Sequence, residues 1–296
     1  VSPVDLAPIP GPLRGQPGRI VLITGASSGL GEAMARRLRS VGHNPVVIGR
    51  DPERTRRVAE SIGSDWFLAD FARLADVRRL ADELIERYPA IDVLVLNAGA
   101  IFAGGPFGLG GRPASTIDGF ERTFQVNHLG PFLLATLLRP NLVDSAAVLV
   151  TSSGAAHRAR VDPSDWQGLK HFSGWSAYAN SKLLNQLFVA GVARHWPALR
   201  SAAIDPGAAT TGFGGGIGVV RLGYQGALAP LLRGRVLRSA EQGADTMTWL
   251  AATEEPWPTA QLWDRRSPSP LRPDARRSEL VDQLWQDSLH LLERAE

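Results

Sequence analysis

The chain of 296 residues contains no cysteine. That excludes disulfides, zinc–thiolate centres and a cysteine nucleophile, and it identifies no compartment. No apolar run approaches the ~18 residues a bilayer span requires. The charged-then-apolar pattern of a signal peptide is missing at the start, so a soluble, cytoplasmic protein is expected. Internal repeats and a second-domain linker are also lacking. Lysine is almost absent: Lys170 and Lys182 are two of the 32 basic residues, leaving 30 arginines. Tyrosine occurs three times. The isoelectric point is basic, but the net charge is only +3, and the arginines are interleaved with acids, as in Asp51-Pro52-Glu53-Arg54. This pattern describes a solvated, salt-laced surface better than a nucleic-acid face.

What is present is a hydrophobic fraction of 44%, ordinary for a globular chain able to bury a large core. Residues 1–17, rich in Pro and Gly, are expected to form a flexible or draped arm, with residues 18–296 as one folded domain. From Arg19 the pattern alternates. Short apolar runs read as buried strands at 19–24, 45–49, 66–70, 92–96, 146–151 and 199–204, separated by helix-length segments. One long helix is predicted from about Asp118 to Val143, carrying Asn127. A further helix spans about 241–252, a short strand lies near Gln261, and Pro-rich residues 267–275 are expected to be irregular. Leu280, Leu284, Trp285, Leu289 and Leu292 predict a docking helix over about 278–294. Strands alternating with helices imply an α/β, doubly wound parallel sheet, whose ligands bind beyond the carboxyl ends of the strands.

Gly25, Asp70, Asn97, Ser153 and Pro206 all fall at such ends. Gly25-Ala26-Ser27-Ser28-Gly29-Leu30-Gly31 joins the first strand to a helix, the setting in which glycines admit a dinucleotide pyrophosphate to the helix start. Tyr178 precedes Lys182 by four residues at the head of a helix predicted to bury one stripe, so phenol and ammonium emerge on one face. Alone, that pair could be a chance feature of an exposed helix. In a chain that otherwise writes its positive charges as Arg, a compact ammonium here can favour the phenolate and donate to a sugar hydroxyl. His128 and His157 have no partner at metal-ligand spacing, and no metal site is predicted.

On Thr24-Gly25…Gly29-Leu30-Gly31, Asn97-Ala98-Gly99, Asn127, Ser153, Tyr178…Lys182 and Pro206-Gly207…Thr211, the chain resembles the short-chain dehydrogenase/reductase family over nearly all of residues 19–264. The resemblance implies a Rossmann-type sheet of about seven strands and nicotinamide-dependent hydride transfer. It implies Asn127, Ser153, Tyr178 and Lys182 as catalytic residues, with Ser153 rather than Ser152 as the serine. Tyr178 would be the general acid/base, Ser153 a second donor to the reacting oxygen, Lys182 the holder of the nicotinamide ribose, and Asn127 the anchor of a water leading to Lys182. Cofactor contacts would come from Gly25, Ser27, Ser28, Gly29, Leu30, Gly31, Arg50, Asp70, Phe71, Asn97, Ala98, Gly99, Tyr178, Lys182, Pro206, Gly207 and Thr211.

NAD-binding members usually place an acid at the end of the second strand. Here Gly49 stands there, followed by Arg50, which can pair with a 2′-phosphate. NADP(H) is therefore expected over NAD(H), although Asp51, one residue on, leaves NAD(H) open. Ser153 and Tyr178 are 25 positions apart, and the intervening Asp162 to Leu169 resembles the insertion of retinol-dehydrogenase-like reductases. Trp263-Asp264-Arg265-Arg266 resembles bacterial polyketide-tailoring ketoreductases. These likenesses imply a bulky, lipophilic ketone or alcohol, with walls from 100–113, from the insertion, and from a lid over about 212–235. A homodimer through the helices carrying Asn127 and Tyr178 is the family's implied assembly. Two other activities stay open on sequence: non-redox or redox-neutral chemistry on the same fold (dehydratase, epimerase, cyclase), and a non-catalytic cofactor-binding sensor or scaffold.

Overall fold

The computed structural model describes residues 6–102, 112–207 and 238–295. In chain order these form β1 (Ile20–Thr24), α1 (Gly29–Ser40), β2 (Asn44–Gly49), α2 (Pro52–Ile62), β3 (Trp66–Leu68), α3 (Leu74–Arg87) and β4 (Ile91–Leu96). Next come α4 (Arg122–Phe124), a π turn (Gln125–Leu129), α5 (Gly130–Leu138), β5 (Leu142–Thr151) and α6 (Gly174–His195). The described chain closes with β6 (Arg200–Ile204), α7 (Ala240–Ala252), β7 (Gln261–Asp264), β8 (Ser267–Pro270) and α8 (Ser278–Glu293).

The strands make one sheet in the order β3-β2-β1-β4-β5-β6-β7-β8. Seven strands are parallel, and β8 runs antiparallel to β7. The architecture is the Rossmann-type doubly wound sheet. Its central strands are buried on both faces, as their unbroken apolar runs require. One core layer packs α3, α5, α6 and α8 against the sheet, and the other packs α1 and α7.

Three expectations need correction. The sheet has eight strands, because Ser267–Pro270 pairs with β7 despite its prolines. An edge position tolerates Pro, since a missing N–H can face solvent there. The helix predicted over 118–143 is broken: it starts at Arg122, passes through the π turn, and gives way to β5 at Leu142 after Pro140. The third concerns α6. It is not amphipathic but buried almost all round from Ala177 to Val192. Sheet, π turn and α8 pack around it, so over this stretch only Asn180 stays half-exposed.

The contacts of α8 are aromatic and ionic. Trp285 of α8 lies edge-on to Phe132 of α5 (5.1 Å) and stacks on His195 of α6 (4.4 Å). A Cβ on Gly191 would stand 2.6 Å from the Trp285 ring, so glycine permits the close approach. Arg194 clamps Asp282 through two hydrogen bonds (2.9 and 2.7 Å). The C-terminal helix therefore packs along α6, with Trp285 reaching Phe132 of α5. At the other end, residues 6–17 form no helix or strand and are strapped to the body. Ile9 is buried, Arg37 and Arg266 donate to the Ala7 carbonyl, and His43 bonds the Pro10 carbonyl (3.1 Å).

Candidate active site

The strand ends converge as the parallel sheet requires. Thr24 Oγ1 at the end of β1 accepts the backbone N–H groups of Asn97 and Ala98, each at 3.0 Å. The Asn97 side chain returns a bond to the Thr24 carbonyl (2.9 Å), and its Oδ1 accepts from Thr151 Oγ1 (3.4 Å). The ends of β1, β4 and β5 are thus stitched together by side chains.

The glycine-rich turn is shaped by close approach. Gly25 has φ +68, and a Cβ there would lie 2.9 Å from Ala98 Cα. A Cβ on Gly31 would lie 2.5 Å from the Gly25 carbonyl oxygen. Ser28, the N-cap of α1, is exposed and makes no side-chain cap bond. The first N–H groups of this 12-residue helix, those of Leu30 and Gly31 among them, are left without that cap, which suits an anion. At the end of β2, a side chain on Gly49 would collide with Thr55 Oγ1 and crowd Ser27. Arg50 is exposed. Asp51 is committed locally: it caps α2 by accepting from Arg54 N (2.9 Å) and Arg54 Nε (3.0 Å). Those bonds, the backbone one first, hold its carboxyl below the usual range. Asp70 turns inward on its own loop, accepting from Ala72 N (3.0 Å). Phe71 is buried, its carbonyl taken by Gln125 Nε2 (3.2 Å).

The tyrosine and lysine expected to be catalytic hang from α6. A Ser173–Ser176 capping box starts that helix, satisfying two backbone donors and fixing where its first turn begins. Tyr178 and Lys182 follow on one face, with the Lys182 ammonium 5.6 Å from the Tyr178 ring centre. Lys182 is 1% exposed, the Nζ donating to the Thr151 carbonyl at 3.0 Å. Asn185 donates to the same carbonyl (3.0 Å). Burial pushes the Lys182 ammonium down to about 8, and the nearby Asp205 carboxylate opposes that shift. At neutral pH most of it still carries its proton.

Ser152 and Ser153 divide their roles. Ser152 is fully buried, donating to the Lys182 carbonyl (3.0 Å) and accepting from Gln186 (3.2 Å). Ser153 is partly exposed and caps a short 3₁₀ turn by accepting from Ala155 N (3.2 Å). Its hydroxyl proton is not consumed by that contact. Asn127 sits in the π turn, its amide exchanging two 2.9 Å bonds with the Ala100 backbone and donating to Ser181 Oγ (3.0 Å). Between these groups lies Gly99, where an added Cβ would stand 3.3 Å from both Asn127 Oδ1 and Lys182 Nζ.

The structure thus gathers Asn97, Gly99, Asn127, Tyr178 and Lys182 with Thr24 and Thr151 at the ends of β1, β4 and β5. Ser153 stands at the end of β5. Beside it, Pro206 and Gly207 (φ +68) close β6. Thr211, the lid at 212–235 and residues 103–111 of the wall expected over 100–113 lie outside the described residues. Sequence reasoning gave no site role to Thr24, Thr151, Ser181 and Asn185, whose partners lie up to 74 positions away. It also missed Asp205, although an acid at a strand end was a legible signal. His128 is buried in the π turn, whereas His157 is exposed. Among the described residues no group of His, Asp or Glu could hold a metal.

The chain is similar to known proteins. The short chain dehydrogenase family model matches residues 19–218, and the chain belongs to that family: it is a short-chain dehydrogenase/reductase enzyme. Among relatives, it is 40% identical over 286 residues to a candidate daunorubicin C-13 ketoreductase, DnrU, of Streptomyces sp. (strain C5), covering 94% of this chain and 93% of that one. It is 30% identical to human retinol dehydrogenase 13, with 93% of this chain and 85% of the other covered. A crystal structure from Mycobacterium paratuberculosis superposes with a TM-score of 0.71 at 29% identity, over 98% of this chain and 96% of that one. A short-chain dehydrogenase from Burkholderia cenocepacia J2315 in complex with NADP superposes with a TM-score of 0.62 at 26% identity, over 81% and 93%. No helix among the described residues is long and apolar enough to cross a membrane.

Proposed function

We propose that this enzyme is an NADPH-dependent reductase, reversible as an alcohol dehydrogenase, acting on a bulky lipophilic ketone. The observation that carries the reading is the buried Lys182, held by the Thr151 carbonyl beside the Tyr178 ring. A phenol of ordinary pKa near ~10 transfers protons sluggishly at neutral pH. An ammonium kept out of water beside it favours the phenolate, so Tyr178 can give up its proton to a carbonyl oxygen. Ser153 donates a second hydrogen bond to that oxygen and stabilises the charge it gains. Asn127, locked to Ala100 and Ser181, would anchor a water that leads a replacement proton to Lys182.

The turn at Gly25–Gly31 fits a dinucleotide, since its glycines leave a cradle that side chains would fill and α1 begins uncapped. When bound, the nicotinamide supplies the hydride. Arg50 favours NADP(H): it is exposed at the end of β2, while Asp51 is occupied as a helix cap. The Burkholderia neighbour crystallised with NADP and the Streptomyces ketoreductase support the cofactor and the direction. The insertion 162–169, which resembles that of the retinol-dehydrogenase-like group, supports a lipophilic substrate.

The test is a panel of bulky ketones and alcohols, following NADPH absorbance together with product mass. Ketone-dependent NADPH loss with a product two hydrogens heavier is expected. Altered substrate mass without NADPH consumption would instead establish redox-neutral chemistry. Tyr178→Phe should retain NADPH binding yet lose about 10³-fold or more in turnover, the scale of a positioned acid. Substantial turnover in that variant would remove Tyr178 as the acid.

A further inference from the structure

Asn127 and His128 are consecutive, yet they serve different neighbours. The Asn127 amide faces Ala100 and Ser181 at the site. The His128 ring lies among Phe124 (5.5 Å), Phe132 (6.1 Å) and Phe188 (6.5 Å), and its Nε2 stands 3.1 Å from Ser288 Oγ on α8. Both belong to the π turn, which closes where the Gly130 N–H returns to the Gln125 carbonyl. A π turn is less stable than the α-helix on either side and persists where surrounding contacts hold it.

Packing alone does not account for a histidine here. The ring is 2% exposed, and Nδ1 has no hydrogen-bond partner among the described residues. Burial drives its pKa down to about 3, so it acts as a neutral hydrogen-bonding group and not through charge. An apolar side chain would fill the same space without an unpaired nitrogen. What the imidazole adds is the link to Ser288, itself fully buried. The helix carrying Ser288 is seated independently, by Trp285 against Gly191, by Asp282 on Arg194, and by Asp287 on Trp166 Nε1 (2.8 Å).

We propose that His128 is a positioning residue: its bond to Ser288 ties the π turn to the C-terminal helix and so fixes the Asn127 amide at the site. The seating of α8 is then coupled to turnover without any residue of α8 touching substrate. The effect on turnover rests on the reading of Asn127 as part of the proton path; the clamp itself does not.

The test uses the full chain with Ser288→Ala, His128→Phe and His128→Gln. The reporter is the side-chain NH2 resonance of Asn127, identified by its loss in Asn127→Ala. Ser288→Ala, a mild change, and His128→Phe should shift or broaden that resonance. Both should lower kcat for ketone reduction by about 5- to 10-fold, modest against the ~10²-fold that a 1 Å misplacement can cost. The KM for NADPH should stay within about two-fold, as expected when binding contacts are intact. His128→Gln, which keeps an amide able to reach Ser288, should recover most of the loss. If Ser288→Ala and His128→Phe melt earlier but leave both the Asn127 resonance and kcat unchanged, the proposal is overturned and His128 is purely structural. A shifted resonance in a protein that reduces no ketone would instead leave the clamp standing and sink the reductase reading.

Discussion

Gly99 lies directly beneath Lys182: a Cβ built on the glycine would stand 3.3 Å from the ammonium nitrogen. The same Cβ would stand 3.3 Å from Asn127 Oδ1, so one missing side chain leaves room for two of the groups assigned to proton transfer. Gly99 does not have a positive φ, and an alanine backbone fits there. Gly99→Ala should therefore fold with a thermal midpoint near wild type. It should lose about 10-fold or more in kcat/KM, because displacing an oriented group by tenths of an ångström degrades its alignment. Steady-state kinetics beside a melting curve check this.

Cofactor preference is expected to divide cleanly between neighbours. Arg50→Asp should weaken NADPH binding by at least about 10-fold, or ~1.4 kcal/mol, and shift preference toward NADH. Unchanged NADPH affinity, measured by titration, would remove Arg50 as the 2′-phosphate partner. Asp51→Ala should instead lower the thermal midpoint slightly through the lost helix cap and leave the preference alone.

Gly191 meets Trp285 where α6 and α8 cross. Gly191→Ala would place a methyl group 2.6 Å from the indole. Helix propensity alone favours alanine by about 1 kcal/mol, so a net destabilisation would isolate the clash. We expect about 1–3 kcal/mol in denaturant unfolding, the range of overpacked cores.

Two depressed pKa values set opposite pH limits. Lys182 falls to about 8 through burial, against 10.5 when free. The unfolded chain therefore holds this proton more tightly, and the stability contribution of Lys182 rises with pH between about 8 and 10.5. Activity should move the other way: ketone reduction is expected to decline above about pH 8 as the ammonium is lost. Asp205→Asn, which removes a carboxylate that supports that ammonium, should bring the decline to lower pH.

His128 governs the acid side. Its folded value of about 3 lies below the ordinary 6.5, so the unfolded state binds the proton first and stability falls as pH drops from 6.5 toward 3. The full shift corresponds to about 5 kcal/mol at ~1.4 kcal/mol per pH unit. Unfolding measured across this range should show a shallower acid slope for His128→Gln than for wild type.

Much of this protein is legible before any coordinates exist. Apolar runs at β1, β4 and β5 mark doubly buried strands because a parallel sheet covered on both faces has no position for polar side chains. Their alternation with helical segments places Gly25, Asn97, Ser153 and Pro206 at one edge of the sheet, and the four-residue spacing of Tyr178 and Lys182 sets both on one helical face. These features depend on local periodicity, which any stretch of chain carries within itself.

Tertiary structure alone decided the rest. The Thr151 carbonyl that receives Lys182, the Ser181 hydroxyl that receives Asn127 and the Thr24 hydroxyl that anchors Asn97 are meetings of distant segments, and no spacing rule encodes them. The π turn at Gln125–Leu129 meets Ser181 on one side and Ser288 on the other, partners that local periodicity does not name. The burial of most of α6 has the same origin. A helix whose own pattern promises one wet face is enclosed because α8, nearly a hundred residues later, closes over it.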